Sequence, residues 1–411
     1  MLAAMSPSPS PFEPAPVRAV RGRDDACPGA LRLHAADDGA LARVRVPGGL
    51  LSSDQVRVLA DAATALGDGR LESTSRGNVQ LRGLAADAGA ELGARLRSAG
   101  LLPSDTHDRV RNIVASPLAG LPGAGADLRG WVRQLDELLQ GSESARALSG
   151  RFLFALDDGT GDVAALDADV TLIAQPAGTA LLRLGRAATA APVADPVRAA
   201  LAAAEAFVRL DSGSWRVREA DPDGTLLAAA LGLDPRPLPA LPGTRPVVGE
   251  HDGALCVGLR FGRASAEQWR LLAATVDELR VTPWRGVVLP GADPARLPEL
   301  AAAGLRTDPH SPWERATACT GSPGCAKSLA DVRTEAAAAL DATAGLAGLP
   351  VPPLLPVHWS GCERRCGHPV GEWVDVLATG DGYRISQLPG SATEVTNQQM
   401  AAAVAAARRT T

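Results

Sequence analysis

Four cysteines in the C-terminal quarter of the chain have the spacing needed to hold a metal centre. Cys319 and Cys325 are separated by five residues, Cys362 and Cys366 by three, and glycines lie beside both pairs. Zinc usually takes pairs spaced by about two to four residues, whereas four thiolates from two loops suit a cubane iron–sulfur cluster. A helical turn would direct Cys362 and Cys366 to one side. We therefore favour a [4Fe-4S] cluster over zinc.

The composition of the chain limits what kind of protein it can be. Its 411 residues allow roughly two or three domains, and 46% apolar residues are enough for ordinary cores. A net charge of −5 gives no support for nucleic-acid binding. The apolar runs are too short to cross a bilayer, and residues 1–22 are rich in Pro and Ser without a signal-peptide core. We expect a disordered tail over residues 1–22 and a cytoplasmic protein with no membrane partner, in which a disulfide is the weaker reading of the cysteines.

Short matches in a constant order indicate that the chain is duplicated. The matched segments are DGAL at 38–41 and 252–255, RG at 76–77 and 285–286, and SP at 116–117 and 322–323. The last match aligns Ile113 and Ala119 with Cys319 and Cys325, so only the second copy has the cysteine pairs. We expect one copy to hold a cluster and the other to shape a substrate pocket.

Each copy begins with a pattern typical of a β-α-β unit. An alternating strand pattern is followed by apolar residues at helical spacing and then by a second strand pattern. The Pro-rich stretch 234–246 separates the copies as a linker. We therefore divide the chain into two half-domains, each followed by a larger α/β lobe, the second of which carries the cluster. The predicted boundaries are 23–90, 91–235, 247–300 and 301–400.

Several segments resemble the sulfite/nitrite reductase superfamily. They are the two cysteine pairs, TSRGNVQLRGL at 74–84 and RNIVASPLAG at 111–120. Within the superfamily the chain looks most like the branch that oxidises a precorrin in aerobic cobalamin biosynthesis, on ACPGALR at 26–32, LRVTPWRGVVL at 279–289 and HWSGCERRCGHP at 358–369. The resemblance implies a mixed α/β and α+β fold with a duplicated sulfite-reductase-like architecture: two ferredoxin-like half-domains and two larger α/β lobes.

The resemblance also implies cofactors. Cys319, Cys325, Cys362 and Cys366 would hold the [4Fe-4S] cluster, and Cys366 could bridge to the iron of a siroheme. A second iron, either in siroheme or as a mononuclear non-haem centre, is expected, and its ligands are left open. His358 and His368 bracket the second cysteine pair: His358 is interpreted as a surface or packing residue, and a role for His368 near cluster sulfur or a second iron stays open.

Arginines are the candidate substrate ligands. Sulfite reductases surround their anion with two Arg and two Lys; Arg76 and Arg111 match the Arg positions, while Arg151 and Leu153 match the Lys positions. The planar guanidinium binds carboxylates bidentately. We predict that Arg76, Arg111 and Arg151 bind the carboxylates of a tetrapyrrole substrate, with Arg76 and Arg111 facing one cavity, and we assign no catalytic residue.

The implied activity is a dioxygen-dependent monooxygenase reaction that converts precorrin-3A to precorrin-3B. No nicotinamide or flavin motif is present, so electrons would come from a ferredoxin or an NAD(P)H-dependent reductase. A ferredoxin-dependent siroheme sulfite or nitrite reductase is the first alternative, and a non-catalytic iron–sulfur electron carrier is the second. The electron donor and the oligomeric state are left open.

Overall fold

Four β-sheets organise the described part of the protein. The computed structural model describes residues 25–344, 354–369, 371–388 and 392–408, so the predicted tail lies outside the described residues. Each half-domain has a five-stranded sheet, the first lobe a six-stranded sheet, and the cluster lobe another five-stranded sheet. None of the helices in this part of the chain is long and apolar enough to cross a bilayer. The predicted mixed α/β and α+β architecture is confirmed.

The first half-domain buries the apolar residues of its strands against two helices. A capping box begins the first helix: Ser52 Oγ accepts from the Gln55 amide, and the Gln55 side chain accepts from the Ser52 amide. Leu92 and Leu96 of the second helix join the same core, so the unit continues past the predicted boundary at residue 90. Its elements are β1 (His34–Ala36), β2 (Gly39–Val44), β3 (Leu50–Ser52), α1 (Ser53–Leu66), β4 (Arg70–Ser73), β5 (Val79–Leu84) and α2 (Gly89–Ser98).

The first lobe places three parallel strands at one edge of a sheet that continues antiparallel. The linker 234–246 contributes only the two-residue final strand. The elements are β6 (Ile113–Ala115), α3 (Arg129–Gly141), β7 (Phe154–Asp157), β8 (Val170–Ala174), β9 (Ala180–Leu184), β10 (Thr189–Val193), α4 (Pro196–Arg209), α5 (Val217–Ala220), α6 (Thr225–Ala230) and β11 (Arg236–Pro237).

The second half-domain and the cluster lobe repeat these arrangements. The half-domain contains β12 (Gly249–His251), β13 (Ala254–Gly258), β14 (Arg263–Ser265), α7 (Ala266–Ala273), β15 (Glu278–Val281), β16 (Gly286–Pro290) and α8 (Leu297–Ala302). The lobe contains β17 (Ala316–Ala318), α9 (Val332–Ala344), β18 (Val357–Ser360), β19 (Trp373–Ala378), β20 (Tyr383–Leu388), β21 (Ala392–Val395) and α10 (Asn397–Ala407), with β17, β18 and β19 parallel.

The half-domains exchange a strand. β3 of the first pairs with β15 of the second, placing Leu51 opposite Leu279, and β14 of the second pairs with β4 of the first. One apolar core, with Trp269 fully buried, runs through both. The simple β-α-β prediction is incomplete because it omits β4 and β15, whose four residues are too few to show a clear period.

Strand order also corrects the predicted alignment of the lobes. Ile113 lies inside β6, whereas Cys319 follows the end of β17. The residue that follows the end of β6 is Ser116, so Ser116 rather than Ile113 occupies the position of Cys319 in the first lobe. The loops after β6 and β17 differ between the copies. The SP match at 116–117 and 322–323 pairs residues inside these loops and does not align the ends of the two strands.

Candidate functional site

The candidate cluster ligands lie at the carboxyl ends of neighbouring parallel strands. Cys319 follows β17 and Cys362 comes shortly after β18, so both lie at one edge of the sheet. The Cys319 amide donates to the Trp359 carbonyl at 2.9 Å, and the Gly361 amide donates to Cys319 Sγ at 3.3 Å. All four cysteines are free thiols, three half-buried and Cys366 exposed. Backbone donors to sulfur are a common feature of iron–sulfur sites.

The two cysteine loops are packed directly against each other. A Cβ on Gly361 would lie 1.8 Å from Ser328 Oγ, so no side chain fits there. The Ser328 amide donates to the Cys325 carbonyl at 2.9 Å, and the Leu329 amide donates to the Gly361 carbonyl at 2.8 Å. These bonds fix the Cys325 loop relative to the loop that begins at Cys362.

The segment from Cys362 to Cys366 is not a helical turn. Arg365 has a positive φ of 46°, which an α-helix does not contain. Turns rather than a helix therefore connect Cys362 to Cys366. Arg365 Nε donates to Asp375 Oδ2 at 2.7 Å, and Asp375 is buried in β19. The predicted helical geometry is therefore wrong, and an ion pair holds the loop against the sheet.

The charge environment of Cys319 is consistent with a sulfur site. Burial raises the pKa of the Cys319 thiol, the amides of Gly361 and Gly321 and the charge of Arg333 lower it, and Cys366 raises it. Four free thiols, an amide donor to sulfur and a glycine without room for a side chain fit a [4Fe-4S] cluster.

The two histidines that bracket the second pair have different settings. His358 is fully buried, its Nδ1 lies 2.8 Å from Thr317 Oγ1, and burial together with the charge of Arg285 lowers its pKa to about 3. Its Nε2 has no hydrogen-bond partner among the described residues. His368 is exposed, stacks on Trp373 at 5.3 Å and has its Nδ1 2.8 Å from the Pro369 carbonyl. His358 is a packing residue rather than a surface one.

A second candidate site is a cavity of about 350 Å³ beside the first half-domain. Burial and the charge of Arg216 lower the pKa of Arg76 to about 10. Arg76 has a carbonyl but no carboxylate partner among the described residues. A poorly compensated buried cation favours an anionic ligand. The lining residues are Ala26, Cys27, Pro28, Arg43, Thr74, Ser75, Arg76 and Arg151.

The Gly150 carbonyl joins the segments that line this cavity. It accepts from Arg76 Nη1 at 3.3 Å, from Asn112 Nδ2 at 2.7 Å and from Cys27 Sγ at 3.4 Å. Asn78 Nδ2 donates in turn to Asn112 Oδ1 at 3.0 Å. The TSRGN, RN and SGRF segments therefore meet at one backbone carbonyl.

Arg111 does not share the cavity with Arg76. Its Nε and Nη2 donate to the two oxygens of Asp136 at 2.6 and 2.8 Å, and both residues line a different cavity of about 290 Å³. The expectation that Arg76 and Arg111 face one cavity is wrong, because the Arg111 side chain turns toward α3. The residue after it, Asn112, makes the contact with the Arg76 segment instead.

Only one of the two matched Lys positions presents a cation. The Arg151 guanidinium lies 4.6 Å from the centre of the Trp215 ring, and its Nε lies 3.6 Å from Asp25 Oδ1. Leu153 is 4% exposed and packs in an apolar cluster that includes Ala155. Of the four positions matched to the anion site of sulfite reductases, Arg76 and Arg151 line the cavity.

Sequence analysis missed two arginines near Cys27: Arg43 lines this cavity, whereas Arg45 lines the cavity of Arg111. Arg43 Nη1 lies 3.7 Å and Arg45 Nη2 lies 3.9 Å from the sulfur of Cys27, and Arg45 is 2% exposed. Burial and the charge of Arg43 lower the pKa of Arg45 to about 10. The sequence LARVRV at 41–46 contained this information. Arg43 and Arg45 occupy alternate positions, so they lie on one face of the predicted strand opposite its apolar residues, and both can then contact the same neighbouring segment. Cys27 also lines the cavity.

An acidic group occupies the corresponding strand ends in the first lobe. Asp157, Asp158 and Asp162 are buried, with carboxylate oxygens within 4.8 Å of one another. Burial raises the pKa of Asp162 to about 7, and Ser116 Oγ donates to it at 2.5 Å. Backbone amides satisfy Asp157, including those of Gly161 and Ala164 at 2.8 Å. The group therefore supports its own loop where the cluster lobe has cysteines.

Known proteins match both the sequence and the fold. The nitrite/sulfite reductase ferredoxin-like half domain matches residues 34–99 and 249–305. A ferredoxin–nitrite reductase of Synechococcus elongatus is 30% identical over 396 residues, which cover 80% of this chain and 74% of that protein. A precorrin-3B synthase of Sinorhizobium sp is 28% identical over 386 residues, which cover 88% of this chain and 82% of that protein.

A solved structure agrees with these matches. The Mycobacterium tuberculosis NirA protein has a TM-score of 0.65 at 20% identity, covering 88% of this chain and 79% of that chain, and so shares the fold. The duplicated half-domains, the exchanged strands and the sequence matches agree with one another. The chain therefore belongs to the nitrite/sulfite reductase family of oxidoreductases.

Proposed function

We propose that this protein is a precorrin-3B synthase, which oxidises precorrin-3A to precorrin-3B with dioxygen. The observation that supports this best is the cation set of the cavity. A site for a small dianion requires several cations directed at one point. Here Arg111 is paired with Asp136, and Leu153 is buried among apolar residues. The cavity keeps three arginines, Arg43, Arg76 and Arg151, of which Arg151 also lies 3.6 Å from Asp25, and these suit separate carboxylates on a larger ligand.

The reaction balances as a monooxygenation. Dioxygen takes two electrons and two protons; one oxygen atom enters the precorrin, where a ring acetate closes a lactone, and the other leaves as water. The electrons come from an external ferredoxin or NAD(P)H-dependent reductase. A bound [4Fe-4S] cluster at Cys319, Cys325, Cys362 and Cys366 would supply them one at a time, and a second iron, in siroheme or mononuclear, completes the proposed cofactor set.

The chain's own residues bind and orient the substrate. Arg76 and Arg151 each bind a carboxylate, and the Gly150 carbonyl holds Arg76 in place. A cavity of about 350 Å³ is at the low end for small-molecule sites, so it receives the carboxylate-bearing edge of the macrocycle rather than the whole ring.

The test compares substrates on one preparation. Cluster-loaded protein with a chemical or enzymatic electron donor should consume dioxygen in the presence of precorrin-3A, and mass spectrometry should find one added oxygen from ¹⁸O₂. Sulfite and nitrite turnover should be negligible. Turnover of either anion at the rate of an authentic reductase, without oxygen incorporation, would overturn the proposal.

A ferredoxin-dependent siroheme sulfite or nitrite reductase is the second candidate, favoured by the 30% identity to a nitrite reductase. An optical spectrum distinguishes the two candidates when it is read with the turnover data. The intense bands of siroheme together with nitrite or sulfite reduction support the reductase. A non-catalytic electron carrier would bind no tetrapyrrole, so titration with a polycarboxylate porphyrin separates that alternative from both enzymes.

A further inference from the structure

A chain of four hydrogen bonds joins the wall of the arginine cavity to the segment that carries Cys319. Arg43 Nη2 donates to Gln80 Oε1 at 3.0 Å, and Gln80 Nε2 donates to Glu72 Oε2 at 3.0 Å. Arg333 Nη1 donates to Glu72 Oε1 at 2.6 Å, and Arg333 Nε donates to the Cys319 carbonyl at 3.0 Å. The cavity and the cysteine site are thus connected through side chains of both copies.

Buried Glu72 and half-buried Arg333 form an ion pair at the centre of this chain of hydrogen bonds. Glu72 is 8% exposed on β4 of the first half-domain, and Arg333 belongs to α9 of the cluster lobe. Burial opposes ionisation of Glu72, but the charge of Arg333 and its hydrogen bond hold the pKa of Glu72 below its usual value. Gln80 orients the second carboxylate oxygen of Glu72. Its Oε1 accepts from Arg43, which leaves its Nε2 directed at Glu72 Oε2.

Arg333 places its charge against a candidate cluster ligand. Arg333 Nε lies 3.0 Å from the Cys319 carbonyl oxygen, so the guanidinium is held beside the backbone of that cysteine. A positive charge at this position favours the reduced, more negative form of a bound cluster. Glu72 lies on the other side of Arg333 and offsets that charge, and water screens buried charges weakly.

We propose that Glu72 and Arg333 are positioning residues that set the reduction potential of the cluster with opposite signs. The inference rests on the proposed [4Fe-4S] centre and is independent of the substrate. It gives the first half-domain, which holds none of the four candidate cluster ligands, a role in electron delivery, because its carboxylate sets how readily the cluster in the other copy accepts an electron.

Potentiometric titration of cluster-loaded, full-length variants, followed by EPR, tests the proposal. Arg333→Gln removes a positive charge and should lower the midpoint potential. Glu72→Gln leaves the Arg333 charge uncompensated and should raise it. Each shift should correspond to about tenfold in the equilibrium constant for reduction, or roughly 59 mV for one electron. Arg333→Lys keeps the charge and should retain most of the wild-type potential.

A purely structural ion pair gives a different pattern. Both partners would then shift the potential in the same direction or lose the cluster together, and Arg333→Lys would behave like Arg333→Gln; either outcome overturns the proposal. Should Glu72→Gln fail to fold, the Lys and Gln variants of Arg333 decide. Arg95→Gln, which breaks an exposed pair with Glu91 on α2, is the matched control and should cause no shift.

Opposite shifts without precorrin turnover would leave this inference standing while the proposed function fails. Same-sign shifts in a protein that turns over precorrin-3A would do the reverse. A wild-type protein that assembles no cluster would overturn the cluster assignment and this inference with it.

Discussion

The Asn78 side chain donates a hydrogen bond of 3.0 Å to Oδ1 of Asn112, and this contact joins the half-domain to the first lobe. Asn112 then donates to the Gly150 carbonyl, which also accepts from Arg76. Both asparagines are almost fully buried, so each polar atom needs a partner inside the protein. The asparagines therefore bring the arginine-bearing segments together, since Asn78 comes two residues after Arg76 and Asn112 directly after Arg111.

We expect each of the four cysteines to be required for the cluster. Cys325→Ser should remove most of the cluster absorbance and the EPR signal of the reduced protein, because the oxygen of Ser is a poor replacement for thiolate. Cys256→Ser is the control: Cys256 is buried in β13 and should leave the spectrum intact. A full complement of iron and sulfide in the Cys325 variant would remove that cysteine from the ligand set.

Gly361→Ala should impair cluster retention without touching a ligand. The added Cβ would lie 1.8 Å from Ser328 Oγ, so the Cys325 and Cys362 loops must move apart. The matched control is Gly130→Ala, at which nothing lies within 4 Å of the new carbon inside α3. Iron content after anaerobic gel filtration measures the effect, and equal retention in the two variants would contradict it.

Arg76→Ala and Arg111→Ala should have different consequences. Arg76 lines the cavity, so its loss should weaken binding of a polycarboxylate tetrapyrrole about tenfold or more, since a charge-assisted hydrogen bond contributes roughly 1.5–3 kcal/mol. Arg111 is 3% exposed and paired with Asp136. Its loss should lower the free energy of unfolding by about 3 kcal/mol and leave affinity unchanged.

Fluorescence titration and chemical denaturation separate these two effects. Arg76→Lys should restore part of the affinity, because the charge remains but the fork is lost. Unchanged affinity in Arg76→Ala would make that arginine structural. A tenfold loss of affinity in a stable Arg111→Ala protein would place the substrate in the other cavity.

Asp162 should make the protein less stable as pH rises. Burial raises its folded-state pKa from 3.8 to about 7, so between these values the folded state binds a proton that the unfolded chain has released. The stability present at low pH is therefore lost as pH rises toward about 7. Asp162→Asn cannot ionise and keeps an acceptor for Ser116 Oγ, so its free energy of unfolding should fall less between about pH 5 and pH 8. Parallel pH profiles for the two proteins would contradict this assignment.

The sequence predicted the duplication, the two kinds of unit and the placement of both cysteine pairs in one lobe, because these depend on local patterns and order. It did not predict the direction of a side chain at a lobe boundary. Arg76 and Arg111 both lie in motifs that resemble those of sulfite reductases. The Arg111 side chain nevertheless pairs with Asp136 on α3 and does not reach the cavity of Arg76. Nor could spacing show that Arg365 takes a positive φ, because its partner Asp375 comes from another strand.

The exchange of β3 and β14 affects how the chain folds while it is being synthesised. β4 ends at Ser73, but its partner β14 begins at Arg263, so the edge of the first sheet stays unpaired while the whole first lobe is translated. β3 likewise has no partner until β15 has been translated. A nascent chain therefore exposes two unpaired strands to chaperones and to other chains, and the sheet of the first half-domain is not complete until the second half-domain has left the ribosome.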